Sequence, residues 1–256
     1  MMVKWTRQLP AQQNNDAPRR RNRRGKLVTP SVQVLIVGSG KLAAELIENL
    51  KSPNIASVLP WSRRDEVPAG RSIVVHAGSG RELQNALTFC RSNNSILIEL
   101  STSGTAIGGT HPFPVIICPN VNILMVKFMA MLQSQGHLFR EYQKTILESH
   151  QAAKTSAPGT AISIAQSLDV EPDRITSIRN PVVQENELGI PPDALSRHAY
   201  HRIVIGDENV SVTLETKAFG DAPYASGLAR VIDSVSGRKL EPKAYDIVTL
   251  IQNGWL

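Results

Sequence analysis

Residues 32–50 read VQVLIVGSGKLAAELIENL, and this stretch decides the fold. VQVLIVG (32–38) is a short, apolar, largely β-branched run bounded by glycine, the pattern of a buried strand. In KLAAELIENL the apolar residues Leu42, Ala43, Leu46, Ile47 and Leu50 recur at helical spacing. A strand, a tight glycine turn and a helix therefore follow one another. The alternation continues with strands at IASVLP (55–60) and SIVVHAG (72–78), a helix at RELQNALTFCRS (81–92), and strands at SILIELSTSG (95–104) and VIICPN (115–120). Strands alternating with helices predict an α/β fold with a Rossmann-like, doubly wound parallel sheet.

A helix is expected from about Asn122 to Leu138, after which the pattern changes. EYQKTILESH (141–150) sets Tyr142, Lys144, Ile146 and Glu148 on one face and Gln143, Thr145, Leu147 and Ser149 on the other, a strand of mixed alternation. GTAISIAQSL (159–168) reads as a helix, and RITSIRN (174–180), HAYHRIVIG (198–206) and NVSVTLETK (209–217) as strands of an antiparallel kind. YASGLARVIDSVSG (224–237) is helical again, and YDIVTLIQNGW closes the chain. The expected organisation is a basic tail (1–30), a dinucleotide-binding domain (31–120 and 231–256) and an α+β domain (121–230) for substrate binding and oligomerisation, with a mixed or antiparallel sheet.

The formal charge of +6 looks like the footprint of a nucleic-acid binder, but it is unevenly placed. The first 30 residues carry Lys4, Arg7, Arg19, Arg20, Arg21, Arg23, Arg24 and Lys26 against Asp16 alone, which is +7, and the remaining 226 residues sum to −1. The body is near neutral, and the tail reads as a solvated segment, with a transit peptide or a nucleic-acid arm as alternatives. It contains no apolar stretch of the kind a secretory signal needs. Cys90 and Cys118 both lie in apolar surroundings, so neither a disulfide framework nor a cysteine zinc site is expected, and no metal is. Residues 115–132 include Pro119, Asn120, Asn122 and Lys127, too polar for a membrane span of about 20 mostly apolar residues. A soluble, cytoplasmic protein is the expectation.

Gly38-Ser39-Gly40, between the first strand and its helix, is a dinucleotide turn: glycine permits the close approach of backbone, and the helix opening at Lys41 and Leu42 faces a pyrophosphate. Ala43 or Ala44 stands where the third glycine of such a turn falls. After the second strand, where an acid would hold the ribose of NAD, the chain reads Pro60-Trp61-Ser62-Arg63-Arg64. Ser62, Arg63 and Arg64 suit the extra phosphate of NADP, so NADPH is the expected cofactor and NADH the alternative. A solvated charged loop ahead of Asp65 and Glu66 fits either arginine alone equally well.

The most informative stretch runs ESHQAAKTSAPGTA (148–161). His150 can give a proton near neutral pH, Lys154 supplies a point charge for a carboxylate, and Gly159-Thr160 opens a helix whose free amides can cradle an anion. Taken alone, a surface or capping role is the plainer reading of His150.

With these residues the chain resembles the dihydrodipicolinate reductase family, whose signature is Glu-x-His-His-x-x-Lys-x-Asp-Ala-Pro-Ser-Gly-Thr-Ala. The resemblance extends over most of residues 32–256. Ser101-Thr102-Ser103-Gly104 looks like the family's Gly-Thr-Thr-Gly segment near the nicotinamide, and Pro119-Asn120 like its Asn-Phe-Ser hinge. The resemblance implies that His150 is the catalytic acid, that Lys154 pairs with substrate, and that Gly159 and Thr160 bind a carboxylate. It places Gly38, Ser39, Gly40, Ser101, Thr102, Ser103 and Asn120 on the cofactor, which Lys41, Leu42, Ser62, Arg63 and Arg64 join from the reading of the residues themselves. Departures are equally specific: Gln151 replaces the second histidine, Ser156 the aspartate, Val121 the hinge phenylalanine, and the serine before Gly-Thr is missing. Gln151 can donate a hydrogen bond to a carboxylate but carries no charge. His201, on a later strand, could face the same site or serve the core.

The resemblance implies hydride transfer from NAD(P)H to a cyclic conjugated imine bearing carboxylates, in the lysine and diaminopimelate pathway, by a homo-oligomer (tetramer or dimer). Two alternatives stand beside it. One is a relative recruited to another imine or amino-acid-derived substrate, which the departures favour. The other is a non-catalytic, cofactor-sensing or nucleic-acid-binding protein that uses the tail.

Overall fold

The computed structural model describes residues 31–68, 70–101, 110–154, 159–219 and 224–256. Six parallel strands form the first sheet: β1 (Val32–Val37), β2 (Ile55–Pro60), β3 (Ile73–His76), β4 (Ile96–Glu99), β5 (Val115–Ile117) and β10 (Ala244–Asp246), in the order β10-β5-β4-β3-β1-β2. The order reverses at β1, so the cleft of this sheet opens where β1 meets β3.

Both faces of the sheet are covered, which explains why β1 is apolar throughout. Val34 and Ile36 pack with Ala43 and Leu46 of α1 (Lys41–Asn49) and with Leu228, Val231 and Ile232 of α6 (Tyr224–Ser236). Leu35 and Val37 face the other way, against Leu83, Ala86 and Cys90 of α2 (Leu83–Asn93). The cysteines are free and lie in opposite cores, and burial pushes both thiols up to about 12. The domain boundary expected at residue 230 falls inside α6. A helix buries one continuous face, and Ala225, Leu228 and Ala229 join the first core together with Val231 and Val235.

The second sheet has the order β7-β6-β8-β9, formed by β6 (Gln143–His150), β7 (Thr176–Ile178), β8 (His198–Gly206) and β9 (Ser211–Phe219). It packs on α4 (Gly159–Ser167) through Ile146, Ile164, Ala165, Ile203 and Ile205. One helix serves both layers: α3 (Ile123–Gln135) gives Ile123 and Val126 to the first core and Leu132 to that of the second sheet.

Several boundaries differ from the sequence reading. β7 pairs parallel to β6, because α4 carries the chain across and back, whereas β6–β8 and β8–β9 are antiparallel as expected. α3 begins under an Asn122 cap but stops at Gln135 and tightens into a 3₁₀ turn over Gly136–Phe139, where a side chain at Gly136 would collide with the Ser167 carbonyl. β9 starts at Ser211 because the Asp207 carboxylate accepts from the Asn209 and Val210 amides and holds a turn. β10, α5 (Pro181–Asn186) and α7 (Ile247–Gln252) were not separated in the sequence. Among the described residues no helix is long and apolar enough to cross a membrane, and no group of histidines, cysteines or carboxylates is placed to hold a metal. The tail expected at 1–30 lies outside the described residues.

Candidate active site

At the carboxyl end of the parallel sheet, the turn after β1 opens a cleft of about 670 Å³ lined by Gly38, Ser39, Gly40, Trp61, His76 and Gly78, among others. Gly38 has φ +138, and a Cβ there would stand 2.8 Å from the Ala77 carbonyl oxygen, so only glycine lets the turn close over β3. Gly40 precedes α1 without any side-chain cap, and the first turn of the helix carries no acid. Among the described residues the first amides of α1 meet no side-chain acceptor, and exposed Lys41 stands beside them, a setting suited to an anion. The Leu42 side chain packs against the first core, away from any ligand contact of its own.

The residues after β2 are arranged less simply. Arg63 is paired with Glu66 through two bonds, Nε to Oε1 at 2.7 Å and Nη2 to Oε2 at 2.5 Å, on the surface. Arg64 lies 5.1 Å from the centre of the Trp61 ring and donates to the Trp61 carbonyl. Ser62 is exposed. Trp61 itself lines the cleft and Arg64 stands over its ring, whereas Arg63 is engaged by Glu66. The Ser101 amide donates to Glu99, and Thr102 and Ser103 lie outside the described residues. Asn120 accepts from the Asn122 amide and lines a separate cavity between α3, α4 and α7, since it follows β5, two strands beyond β3.

The second group gathers at the end of β6. Glu148 is fully buried, and its Oε2 lies 2.7 Å from Nδ1 of His150, the last residue of the strand. Its Oε1 accepts from Ser177 of β7 and from Nη2 of Arg179. Burial alone would raise this carboxyl, but the bonds from His150, Arg179 and Ser177 outweigh it and hold the group at about 2. Arg179 also donates from Nε to the Lys154 carbonyl at 2.9 Å, tying down the turn in which the Lys154 amide donates to Gln151. Among the described residues the Lys154 ammonium meets no hydrogen-bond or ion-pair partner. Gln151 is half-buried beside it.

Two further histidines flank His150, with ring centres 6.4 Å away at His198 and 5.8 Å away at His201. His201 is opposite Glu148 in the β6–β8 register and touches Thr216 through Nδ1. Burial first, and repulsion from His150 second, push His201 down to about 4. Burial likewise lowers His198, which contacts the Ser149 hydroxyl through Nε2. Gln184 of α5 donates to that hydroxyl and to the His150 carbonyl, fixing the end of β6. Gly159 and Thr160 open α4 after residues 155–158, which include Ser156 and lie outside the described residues.

Ser177, Arg179, Gln184 and His198 were not anticipated. The available signal was Glu148: a carboxylate on a strand of a packed sheet needs a cation, and Arg179 follows the neighbouring strand.

The comparisons with known proteins bear on this second group most directly. The family model described as "Dihydrodipicolinate reductase, C-terminus" matches residues 121–251, just over half of the chain, including β6, α4 and β8. A chloroplastic 4-hydroxy-tetrahydrodipicolinate reductase of Arabidopsis thaliana is 29% identical over 153 residues, covering 54% of this chain and 44% of its own. The chain thus spans about half the length of the plant relatives it matches. The 4-hydroxy-tetrahydrodipicolinate reductase of Methanoregula boonei is 25% identical over 189 residues, 65% of this chain and 68% of its own. Among solved structures, a dipicolinate-bound dihydrodipicolinate reductase from Paenisporosarcina sp. TG-14 superposes with a TM-score of 0.60 at 18% identity, covering 84% of this chain and 97% of the other. That likeness shows a common fold, and the match over 121–251 carries the lineage: the chain belongs to the dihydrodipicolinate reductase family.

Proposed function

We propose that the protein is an NAD(P)H-dependent reductase that delivers a hydride to a cyclic conjugated imine bearing carboxylates, similar to 4-hydroxy-tetrahydrodipicolinate. The observation that carries this reading is the coupling of His150 to Glu148, with Lys154 tied to the same carboxylate through Arg179. The glycine turn, the free amides of α1 and the cleft above them fit a dinucleotide. A reduced nicotinamide bound there supplies the hydride.

The remaining chemistry belongs to the chain. Glu148 occupies Nδ1 of His150, which orients the ring and leaves Nε2 as the nitrogen that passes a proton to the substrate as electron density builds on it. Lys154 pairs with one carboxylate, and Gly159 and Thr160 at the start of α4 receive another. Gln151, in place of a second histidine, donates a neutral bond, so it orients a carboxylate without neutralising it. NADPH is the proposed cofactor, supported by Arg64, which stands over the Trp61 ring that lines the cleft. The outer strand β9, with Val212 and Phe219 exposed, suits assembly into a homo-oligomer through the second sheet.

Incubation with the condensation product of pyruvate and aspartate semialdehyde, followed by loss of NADPH absorbance, tests the assignment. Turnover supports it. Tight NADPH binding without turnover would move the protein to another imine substrate, the reading that Gln151 favours.

A further inference from the structure

The glycine turn and the His150 cluster leave one feature of the cleft without a role. His76, the last residue of β3, and Glu99, the last of β4, are aligned in the parallel register, and their side chains are 1% and 0% exposed. His76 Nδ1 lies 2.8 and 2.9 Å from the two oxygens of Glu99, and Oε1 also accepts from the Ser101 amide at 2.8 Å. A carboxylate accepts, so Nδ1 carries a proton and donates, and in that neutral tautomer Nε2 is left as an acceptor. That nitrogen is buried and meets no hydrogen-bond partner among the described residues.

Nε2 is not turned into the apolar core. It stands 3.2 Å from the point a Cβ on Gly78 would occupy, and that same point is 3.4 Å from Gly38 Cα. The ring therefore reaches the glycine-lined floor of the cleft, of which it is part. A buried acceptor left unmade is costly, and a ligand donor reaching the floor of the cleft would satisfy it.

The topology limits which donor arrives. In a doubly wound sheet the adenosine ribose lies beyond the strand corresponding to β2 and the pyrophosphate over the helix that follows β1. β3 and β4 lie on the opposite side of β1 from β2, so the other half of a dinucleotide extends over His76 and Glu99. We propose that His76, oriented by Glu99, accepts a hydrogen bond from a hydroxyl of the ribose in the nicotinamide half of the dinucleotide. The inference rests on the nucleotide-binding reading of the cleft.

Isothermal titration of the full chain with NADPH, NADH, ADP-ribose and ADP tests it. The wild type should bind ADP-ribose more tightly than ADP, and equal affinities would overturn the proposal without any variant. In His76→Asn the amide can still donate to Glu99 but nothing reaches the Nε2 position. NADPH and NADH should weaken by about 3- to 10-fold, the effect of one neutral hydrogen bond, while ADP is unchanged. His76→Gln, whose amide reaches that position, should recover most of the loss. Unaltered NADPH affinity in His76→Asn, or an equal loss for ADP, refutes the role. A wild type that binds none of the four ligands refutes the nucleotide-binding reading itself and this inference with it.

Discussion

Arg179 donates both to Glu148 and to the backbone carbonyl of Lys154, so one guanidinium joins the carboxylate beneath His150 to the turn that carries the lysine. Glu148 is fully buried, and removing a partner from a buried charge is costlier than the pair's own net worth. Arg179→Met should therefore destabilise the protein by about 2 kcal/mol or more, the figure for a fully buried pair being reduced because Arg179 is partly exposed. Arg179→Lys should regain part of this through charge while losing the fork that reaches Lys154. Urea unfolding of the two variants checks the ordering, and a change within about 0.5 kcal/mol for Arg179→Met would remove the proposed tie.

His150→Ala should lower turnover by about 100-fold or more with little effect on NADPH affinity, because it removes a proton donor and no nucleotide contact. Glu148 would then lose one of three bonds, so a modest fall in stability should accompany it. Steady-state rates together with direct NADPH titration separate the effects. Equal turnover in mutant and wild type would end the acid role.

The first sheet was legible because β1 is buried on both faces and α1 on one, which leaves unbroken apolar and helical patterns. β10 was not: it has only three residues in its ladder and reaches β5 from more than a hundred residues away, while β7 was legible as a strand but not as a parallel one. The site divides along the same line. His150 and Lys154 sit in one continuous stretch with Gly159, whereas Ser177 and Arg179 lie on or just after β7 and meet Glu148 through the β6–β7 pairing, and Gln184 reaches Ser149 from α5, which the sequence did not separate. His76 and Glu99 read as the polar ends of two apolar strands, and it is the parallel register that sets them side by side. Arg63 shows the reverse: its position suggested a phosphate, and local pairing with Glu66 engages it.

The buried histidines give stability a definite pH dependence. His201 ordinarily titrates at 6.5 and is held at about 4 in the fold. Below its ordinary value the unfolded chain takes up a proton that the folded protein still refuses, so the unfolded state gains and stability falls. The contribution is complete above 6.5, is lost as pH falls toward 4, and amounts on the order of 3 kcal/mol over the whole window. His198, also lowered by burial, acts in the same direction. Glu148, held near 2 against an ordinary 4.5, adds a separate loss at lower pH. Urea unfolding between about pH 7 and pH 5 should show the first loss, and His201→Gln should flatten it. An unchanged slope in that variant would assign the dependence to other groups.

The two glycines of the turn after β1 should separate folding from the proposed nucleotide binding. Gly38 has φ +138 and its Cβ would meet the Ala77 backbone oxygen at 2.8 Å, an obstacle that no side-chain rotation relieves. Gly38→Ala should cost about 2 kcal/mol or more in stability through strain and clash together, and should spoil the cleft as β1 and β3 part. Gly40 has φ −82, within reach of any residue, and nothing stands within 4 Å of its Cβ position. Gly40→Ala should therefore leave stability within about 0.5 kcal/mol of wild type or slightly improve it, since alanine restricts the unfolded chain. Its methyl group would nevertheless occupy space at the mouth of α1, where a pyrophosphate must come close to the free amides. NADPH affinity should fall in both variants, but only in Gly38→Ala should the urea midpoint fall with it. Undiminished NADPH binding by a fully stable Gly40→Ala protein would place the phosphates elsewhere than over the start of α1.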